Sequence, residues 1–137
     1  MRVLGLDYGS ARCGCAVLDP TWTIVTPIEH VLAPGTRRGI GRIVGLVAER
    51  EVERVVVGLP VSLGGGDSAQ TVEAREFAAR LARRLGEEIP VELYDERLTT
   101  RLAQRDPSRR ASEDSRAAAH LLSSWLQAQG PADRPDL

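Results

Sequence analysis

The 137-residue sequence contains no lysine, so all 18 of its basic residues are arginine. With 19 acidic residues the net charge is −1, which excludes a protein whose whole surface attracts polyanions. Aromatic residues make up only 4% of the chain, and the core must therefore come from aliphatic side chains and alanine. Arginine is the better residue for phosphate, because its planar guanidinium donates two parallel hydrogen bonds. Anion binding must then depend on where the arginines are concentrated.

Cysteines are also scarce, since the chain has only Cys13 and Cys15. At positions i and i+2 of a strand they share a face and are badly aimed for a mutual disulfide. No targeting segment and no apolar run long enough to cross a bilayer is present. These absences predict a reduced, cytoplasmic protein with no membrane partner. An exposed thiol would let two copies join under oxidation, and the choice between monomer and homodimer stays open.

What is present is the pattern of one α/β domain, expected over residues 1–129 and followed by a disordered tail at 130–137. Three strands joined by short turns predict an antiparallel meander, and two later strands follow helical crossovers. The third strand contains Pro27, which is typical of an edge strand or a bulged strand. The apolar side of the second helix is predicted to carry Val72, Phe77, Ala78, Leu81 and Leu85. The predicted strands are 2–7, 13–19, 23–32, 54–59 and 90–94, and the predicted helices are 37–51, 69–85, 97–105 and 113–128.

Four carboxylates fall at positions where this fold would bring them together. Asp7 ends the first strand, and Asp95 and Glu96 end the fifth, at the edge where ligands bind in open α/β sheets. Asp114 lies in the first turn of the last helix, beside its apolar stripe. Carboxylates at one spot repel each other unless a cation neutralises them, and oxygen ligands select Mg²⁺ or Mn²⁺. Two such ions would clamp the attacking and leaving oxygens of a phosphodiester.

Each of these acids also has an ordinary structural interpretation. Asp7 before Gly9 is compatible with a plain turn, and Asp95 and Glu96 with helix-start acids. Asp114 follows Ser112, a good N-cap, where the helix dipole favours acids. Residues 58–68 are rich in glycine but lack the Gly-Lys-Ser/Thr of a P-loop. Two interpretations of this segment remain open, a flexible turn and a loop whose backbone N–H groups contact phosphate.

The basic residues concentrate in one segment. Residues 97–112 contain five arginines and a single acid, a local balance of +4. Together with Arg12, which follows the first turn, these arginines are candidates for contacts with nucleic-acid phosphates. The candidates in the segment are Arg97, Arg101, Arg105, Arg109 and Arg110.

Four motifs in this order closely resemble the YqgF/RuvX family: LGLDYGSARCGCAV, VVVGLPVSLGGGDS, DERLTT and EDSRAAAHLL. The resemblance spans about residues 2–127, and DERLTT is its most specific element. It implies an RNase H-like fold, and the order of the predicted elements gives the sheet as mixed and five-stranded, with three antiparallel and then two parallel strands flanked by helices. It also implies metal-dependent cleavage of phosphodiesters. By motif, Asp7 is the first-strand metal ligand, Glu96 or Asp95 the fifth-strand acid and Asp114 the last-helix acid, while Arg97, Thr99 and Thr100 order the site or touch the substrate.

The sequence departs from related junction resolvases in two ways. Those proteins carry an acid after the fourth strand, where this chain has Gly58-Leu59-Pro60, so the fifth strand is expected to supply that acid. Strand alternation continues from Leu93 to Asp95 and favours Glu96 for the metal, with Asp95 orienting Arg97. In addition, the basic segment is shorter than usual in the family and uses arginine in place of lysine.

The resulting hypothesis is a metal-dependent nuclease acting on structured RNA, with the ends of pre-16S rRNA as its substrate. A resolvase-like nuclease acting on branched DNA would use the same chemistry and is the nearest alternative. A non-catalytic factor that binds rRNA during ribosome assembly is the second alternative. An actin-like or sugar-kinase ATPase shares the Asp-x-Gly turn but needs a second lobe, which 137 residues do not supply.

Overall fold

The computed structural model describes residues 2–59, 69–95 and 113–129, and at Glu113 and Asp114 it describes the backbone. The predicted loop at 60–68, the predicted helix at 97–105, the basic segment and the tail at 130–137 lie outside the described residues. The strands are β1 (Arg2–Asp7), β2 (Arg12–Leu18), β3 (Val25–Leu32), β4 (Val52–Leu59) and β5 (Val91–Asp95). The helices are α1 (Arg37–Glu49), α2 (Ala69–Leu85) and α3 (Glu113–Ala128).

The five strands form one mixed sheet in the order β3-β2-β1-β4-β5. β1, β2 and β3 pair antiparallel because short turns join them. β4 pairs parallel with β1, and β5 with β4, because the chain returns to the same edge of the sheet before each of these strands. The sheet confirms the predicted architecture. Pro27 lies in β3, which is an edge strand, as predicted.

Two apolar clusters cover the two faces of the sheet. On one face, α1 and α2 pack through Ile43, Phe77 and Leu81 onto side chains such as Leu4 and Leu6 of β1. On the other face, α3 packs with the alternate residues of the same strands. That second cluster contains Val3, Ala16, Leu18, Trp22, Val56, Ala118, Leu122 and Trp125. Each strand residue can therefore be assigned to the α1/α2 face or to the α3 face.

One predicted position on α2 is wrong. Val72 is 45% exposed, while Thr71 and Ala74 are fully buried in its place. Together with Ala78 and Leu81 they form a stripe at spacings of three and four residues. Val72 lies about 100° around the helix from Thr71, which turns it out of this stripe towards solvent.

Both cysteines lie in the core on the α1/α2 face, fully buried and without a disulfide. The exposed thiol that joining two copies would require is therefore not found. No helix within residues 2–59, 69–95 and 113–129 is long and apolar enough to cross a membrane.

Candidate active site

Asp7 is the last residue of β1 and is half-buried at the carboxyl edge of the sheet. Strand alternation assigns it to the α3 face, because Val3 belongs to the cluster under α3. Its neighbours in register are Gly14 on β2 and Gly58 on β4. Both glycines fall on the same face as Asp7, so the strands on either side place no side chain next to its carboxylate. The sheet thus forms an open platform around this one acid.

The turn after Asp7 depends on Gly9. A Cβ atom at that position would lie 2.7 Å from the carbonyl oxygen of Arg12, closer than real Cβ atoms approach an oxygen. Glycine is therefore needed for the chain to fold back at this point. Arg12 begins β2 and is exposed, and alternation with the buried Cys13 assigns it to the face of Asp7. A guanidinium and a carboxylate thus share one face at one edge of the sheet.

The amino end of α3 is fixed to the sheet by Ser115. Its buried hydroxyl donates to the carbonyl oxygen of Ile28 at 2.5 Å and accepts from the backbone N–H of Cys15 at 3.4 Å. The pairing of β2 with β3 is irregular between Cys13 and Cys15, and the serine bridges the two strands there. Cys15 is the register partner of Leu6. This bridge holds the start of α3, which includes Asp114 in the preceding position, over β2 and β3 on the face of the sheet that Asp7 shares.

On β5 the structure describes one of the two predicted acids, Asp95, and its neighbours indicate which face it occupies. Tyr94 packs against the cluster under α3, and its hydroxyl lies 3.0 Å from that of Ser124 on that helix. Glu92 accepts a 2.9 Å hydrogen bond from the Trp125 ring nitrogen, so it also faces α3. Val91 packs against the opposite cluster. Asp95 therefore falls on the α1/α2 face, away from Asp7.

The structure thus brings Asp7, Arg12 and the start of α3 together on one face and separates Asp95 from them. Among the residues with described side chains, no three His, Cys, Asp or Glu groups lie close enough to hold a metal ion. Seven predicted site residues lie outside the described residues, together with Glu96. They are Arg97, Thr99, Thr100, Arg101, Arg105, Arg109 and Arg110.

Tyr8 connects this edge to the other face of the sheet. It directly follows Asp7, and its ring lies 4.7 Å from the ring of Phe77 on α2. Burial raises the pKa of the Tyr8 hydroxyl above its ordinary value, and the carboxylate of Glu73 raises it further. The hydroxyl therefore stays protonated at physiological pH.

Two parts of this site were missed from the sequence. Gly14 and Gly58 flank Asp7 only because of strand register, which no local pattern reveals. Ser115 did have a signal, since it continues the buried stripe of Ala118, Leu122 and Trp125 towards the amino end of α3. A serine in that stripe is a buried hydroxyl and requires a partner.

Comparison with known proteins identifies the group to which this chain belongs. The model of the RuvX family, described as Holliday junction resolvase, matches residues 1–128. The chain belongs to the RuvX family. Membership makes it a nuclease, a hydrolase of phosphodiester bonds.

Sequence relatives of this RuvX chain carry the name "Putative pre-16S rRNA nuclease". One from Corynebacterium jeikeium is 37% identical over 91% of this chain and 85% of its own length. Another, from Mycobacterium tuberculosis, is 42% identical over 91% of this chain and 78% of its own length.

Solved structures confirm the fold of this RuvX chain. RuvC of T. thermophilus, in complex with Holliday junction substrate, has a TM-score of 0.64 at 15% identity and covers 93% of this chain and 95% of its own. The fowlpox virus Holliday junction resolvase has a TM-score of 0.59 at 12% identity, over 94% of this chain and all of its own. At these identities the similarity establishes the RuvC-like architecture of the sheet.

Proposed function

We propose that this chain is a nuclease dependent on Mg²⁺ or Mn²⁺ that processes the ends of pre-16S rRNA. The observation that carries the proposal is the carboxylate of Asp7, flanked by Gly14 and Gly58 and on the face of the sheet that α3 covers. The names of its relatives supply the rRNA substrate. The reaction is hydrolysis of a phosphodiester bond in structured RNA.

The residues of the platform fit a hard divalent cation. Asp7 offers carboxylate oxygens, the ligand type that Mg²⁺ and Mn²⁺ prefer, and the two glycines leave room for the ion and for a phosphate. Asp114, which precedes the anchored Ser115, is the second proposed ligand. Glu96 is the third, because Asp95 lies on the other face of β5. A bound ion would lower the pKa of a water molecule and polarise the phosphate.

The protein's own part in the reaction is to bind and position the substrate. Arg12 shares the face of Asp7 and is proposed to contact a phosphate next to the scissile bond. The arginines of residues 97–112, with Thr99 and Thr100, are proposed to extend these contacts. Asp95 is proposed to orient Arg97 and not to bind the ion.

Cleavage assays with purified protein test this proposal. End-labelled RNA carrying a pre-16S 3′ or 5′ end, an unstructured single strand and a four-way DNA junction are incubated with Mg²⁺ or Mn²⁺. We expect cleavage of the pre-16S substrate, abolished by EDTA and reduced at least about 100-fold by Asp7→Asn, which weakens an ion ligand at constant shape. Glu49→Gln is the matched control, because it makes the same chemical change at an exposed position at the end of α1.

The outcomes separate the alternatives. Equal activity of Asp7→Asn and wild type would indicate a contaminating nuclease and contradict the proposal. Cleavage of the junction in preference to the RNA would favour the resolvase-like alternative, which the family description supports. RNA binding without cleavage under any of these metals would favour the non-catalytic assembly factor.

A further inference from the structure

A cluster of arginines lies on the α1/α2 side of the molecule, on the other face of the sheet from Asp7. Four arginines and Ile40 line a cavity of about 240 Å³ between the two helices. We call it the arginine pocket, and it consists of Arg37 on α1 and Arg80, Arg83 and Arg84 on α2. All four arginines are exposed, and no carboxylate lines the cavity.

The pocket is partly fixed by the backbone. Nη1 of Arg80 donates a 2.6 Å hydrogen bond to the carbonyl oxygen of Gly35, two residues before α1 begins. Within the part of the chain that the structure describes, no carboxylate forms an ion pair with Arg37, Arg83 or Arg84. Four arginines therefore line one cavity to which no described carboxylate contributes, and of these only Arg83 and Arg84, in the last turn of α2, lie where the helix dipole favours a basic residue.

The start of α1 adds to this positive field. Thr36 caps the helix by accepting a 3.0 Å hydrogen bond from the N–H of Gly39, and the first turn contains no acid. Arg37 and Arg38 occupy that turn instead, at the positive end of the helix dipole, where basic residues are unfavourable. An anion in the arginine pocket would offset both the repulsion among the guanidinium groups and the misplaced charge at the helix start.

We propose that the arginine pocket binds the phosphodiester backbone of the nucleic-acid substrate at a phosphate remote from the scissile bond. This inference rests on the proposed function, since it extends the same substrate across a second face. The chemistry of the lining favours backbone phosphate over a nucleotide. Guanidinium forks match phosphate oxygens, whereas the pocket has no aromatic ring on which a base could stack.

The position of the pocket also favours the substrate backbone. Tyr8, the residue after Asp7, packs on Phe77, which lies one helical turn before Arg80. Its hydroxyl is so close to Gly35 that a Cβ there would lie 3.1 Å from it. The residue that adjoins Asp7 is thus packed against the segment that fixes Arg80. A nucleic acid whose scissile phosphate is at Asp7 reaches the pocket by passing around the carboxyl edge of the sheet.

Binding measured without cleavage tests this inference separately from catalysis. Asp7→Asn protein in EDTA is titrated with a fluorescent RNA hairpin carrying a single-stranded flank, and anisotropy is followed over a range of salt concentrations. The test variant adds Arg37→Gln and Arg83→Gln, one arginine from each helix. The matched control adds Arg2→Gln and Arg50→Gln, which remove the same charge at the opposite edge of the sheet. Thermal melts verify that both proteins are folded.

We expect the test variant to bind the hairpin about tenfold more weakly and the salt slope to fall by about 1.4 to 1.8, the loss of two phosphate contacts. The control should retain the salt slope of the Asp7→Asn parent. Inorganic phosphate and a mononucleotide, added as competitors, distinguish a small-anion site from a backbone site.

Three results would overturn the inference. The first is that the test variant and the control bind the hairpin with equal affinity. The second is that the test variant loses the binding of inorganic phosphate but not that of the hairpin. The third is that the parent protein does not bind RNA. If RNA affinity depends on the two arginines but the wild-type protein does not cleave RNA in the assay described above, only the nuclease proposal fails. Conversely, cleavage by the wild-type protein together with unaltered RNA binding by the test variant would sink only the arginine pocket.

Discussion

The hydroxyl of Ser115 offers the sharpest test of how the site is built, because it is fully buried and holds two backbone groups. Ser115→Ala removes the acceptor for the N–H of Cys15 and the donor to the carbonyl oxygen of Ile28. An orphaned buried polar group costs about 1 to 3 kcal/mol. The 3.4 Å bond to Cys15 is long, and Ile28 is only partly buried, so we expect a total of about 2 kcal/mol.

That cost has a measurable size in a chain of this length. An unfolding entropy of about 2.1 cal/mol/K per residue converts about 2 kcal/mol into a fall in Tm of about 7 °C. Because Ser115 follows Asp114, the same change should also lower the cleavage rate by about tenfold at temperatures where the variant is fully folded. Calorimetry and single-turnover cleavage measure the two effects.

Ser124→Ala is the matched control for this prediction. Ser124 lies on the same helix and is bonded to the Tyr94 hydroxyl, but both groups are only partly buried and can turn to water. We expect a loss of less than about 1 kcal/mol and no change in cleavage rate. The reasoning is refuted if Ser115→Ala is within about 0.5 kcal/mol of wild type, the range of neutral surface substitutions. It is also refuted if its cleavage rate matches that of Ser124→Ala.

Two further predictions concern stability. Gly9→Ala should lower the free energy of unfolding in urea by about 1 to 3 kcal/mol, because its Cβ would meet the Arg12 carbonyl oxygen. Gly41→Ala on α1 should raise that free energy by about 0.5 to 1 kcal/mol, because a Cβ there meets nothing within 4 Å. Equal effects of the two substitutions would contradict the need for glycine at the turn. Burial raises the pKa of Asp19, but hydrogen bonds from the backbone N–H groups of residues 21, 23 and 24 and from the Thr21 hydroxyl outweigh it and lower that pKa to about 2. The stability that the ionised group contributes is thus complete above its ordinary pKa of 3.8 and is lost as the pH falls through about 2. The difference in unfolding free energy between wild type and Asp19→Asn, measured by urea unfolding, should therefore narrow from pH 5 to pH 2. A difference that stays constant over this range would contradict the linkage.

The elements of this fold that could be predicted are those whose sequence signals lie within a short segment. The apolar runs at residues 3–6 and 55–59 are typical of strands buried on both faces, and Pro27 indicated an edge strand, because these features depend on the residues themselves. The apolar side of α2 was less secure. Val72 is more hydrophobic than Thr71, yet the geometry of the whole stripe buried the threonine. A single residue's hydropathy is a weaker guide than the helical period across several turns.

The candidate site was only partly predictable. Asp7 could be recognised because it ends a buried strand before a turn, and alternation along β5 already favoured separate faces for Asp95 and Glu96. Gly14 and Gly58 had no local signal as neighbours of Asp7. They lie seven and 51 positions away along the chain, and only the register of two strand pairs brings them level with it.

The sequence by itself determined the strands and helices, the acid at the end of β1 and the choice of arginine as the only basic side chain, because each is a property of short segments. Tertiary structure decided what surrounds those residues. Strand register places two glycines beside Asp7, and Ser115 bonds to both strands where the pairing of β2 with β3 is irregular. The packing of α1 against α2 brings four arginines to the lining of one cavity. These arrangements depend on contacts between segments far apart in the chain, which pack in one way only once the sheet is complete.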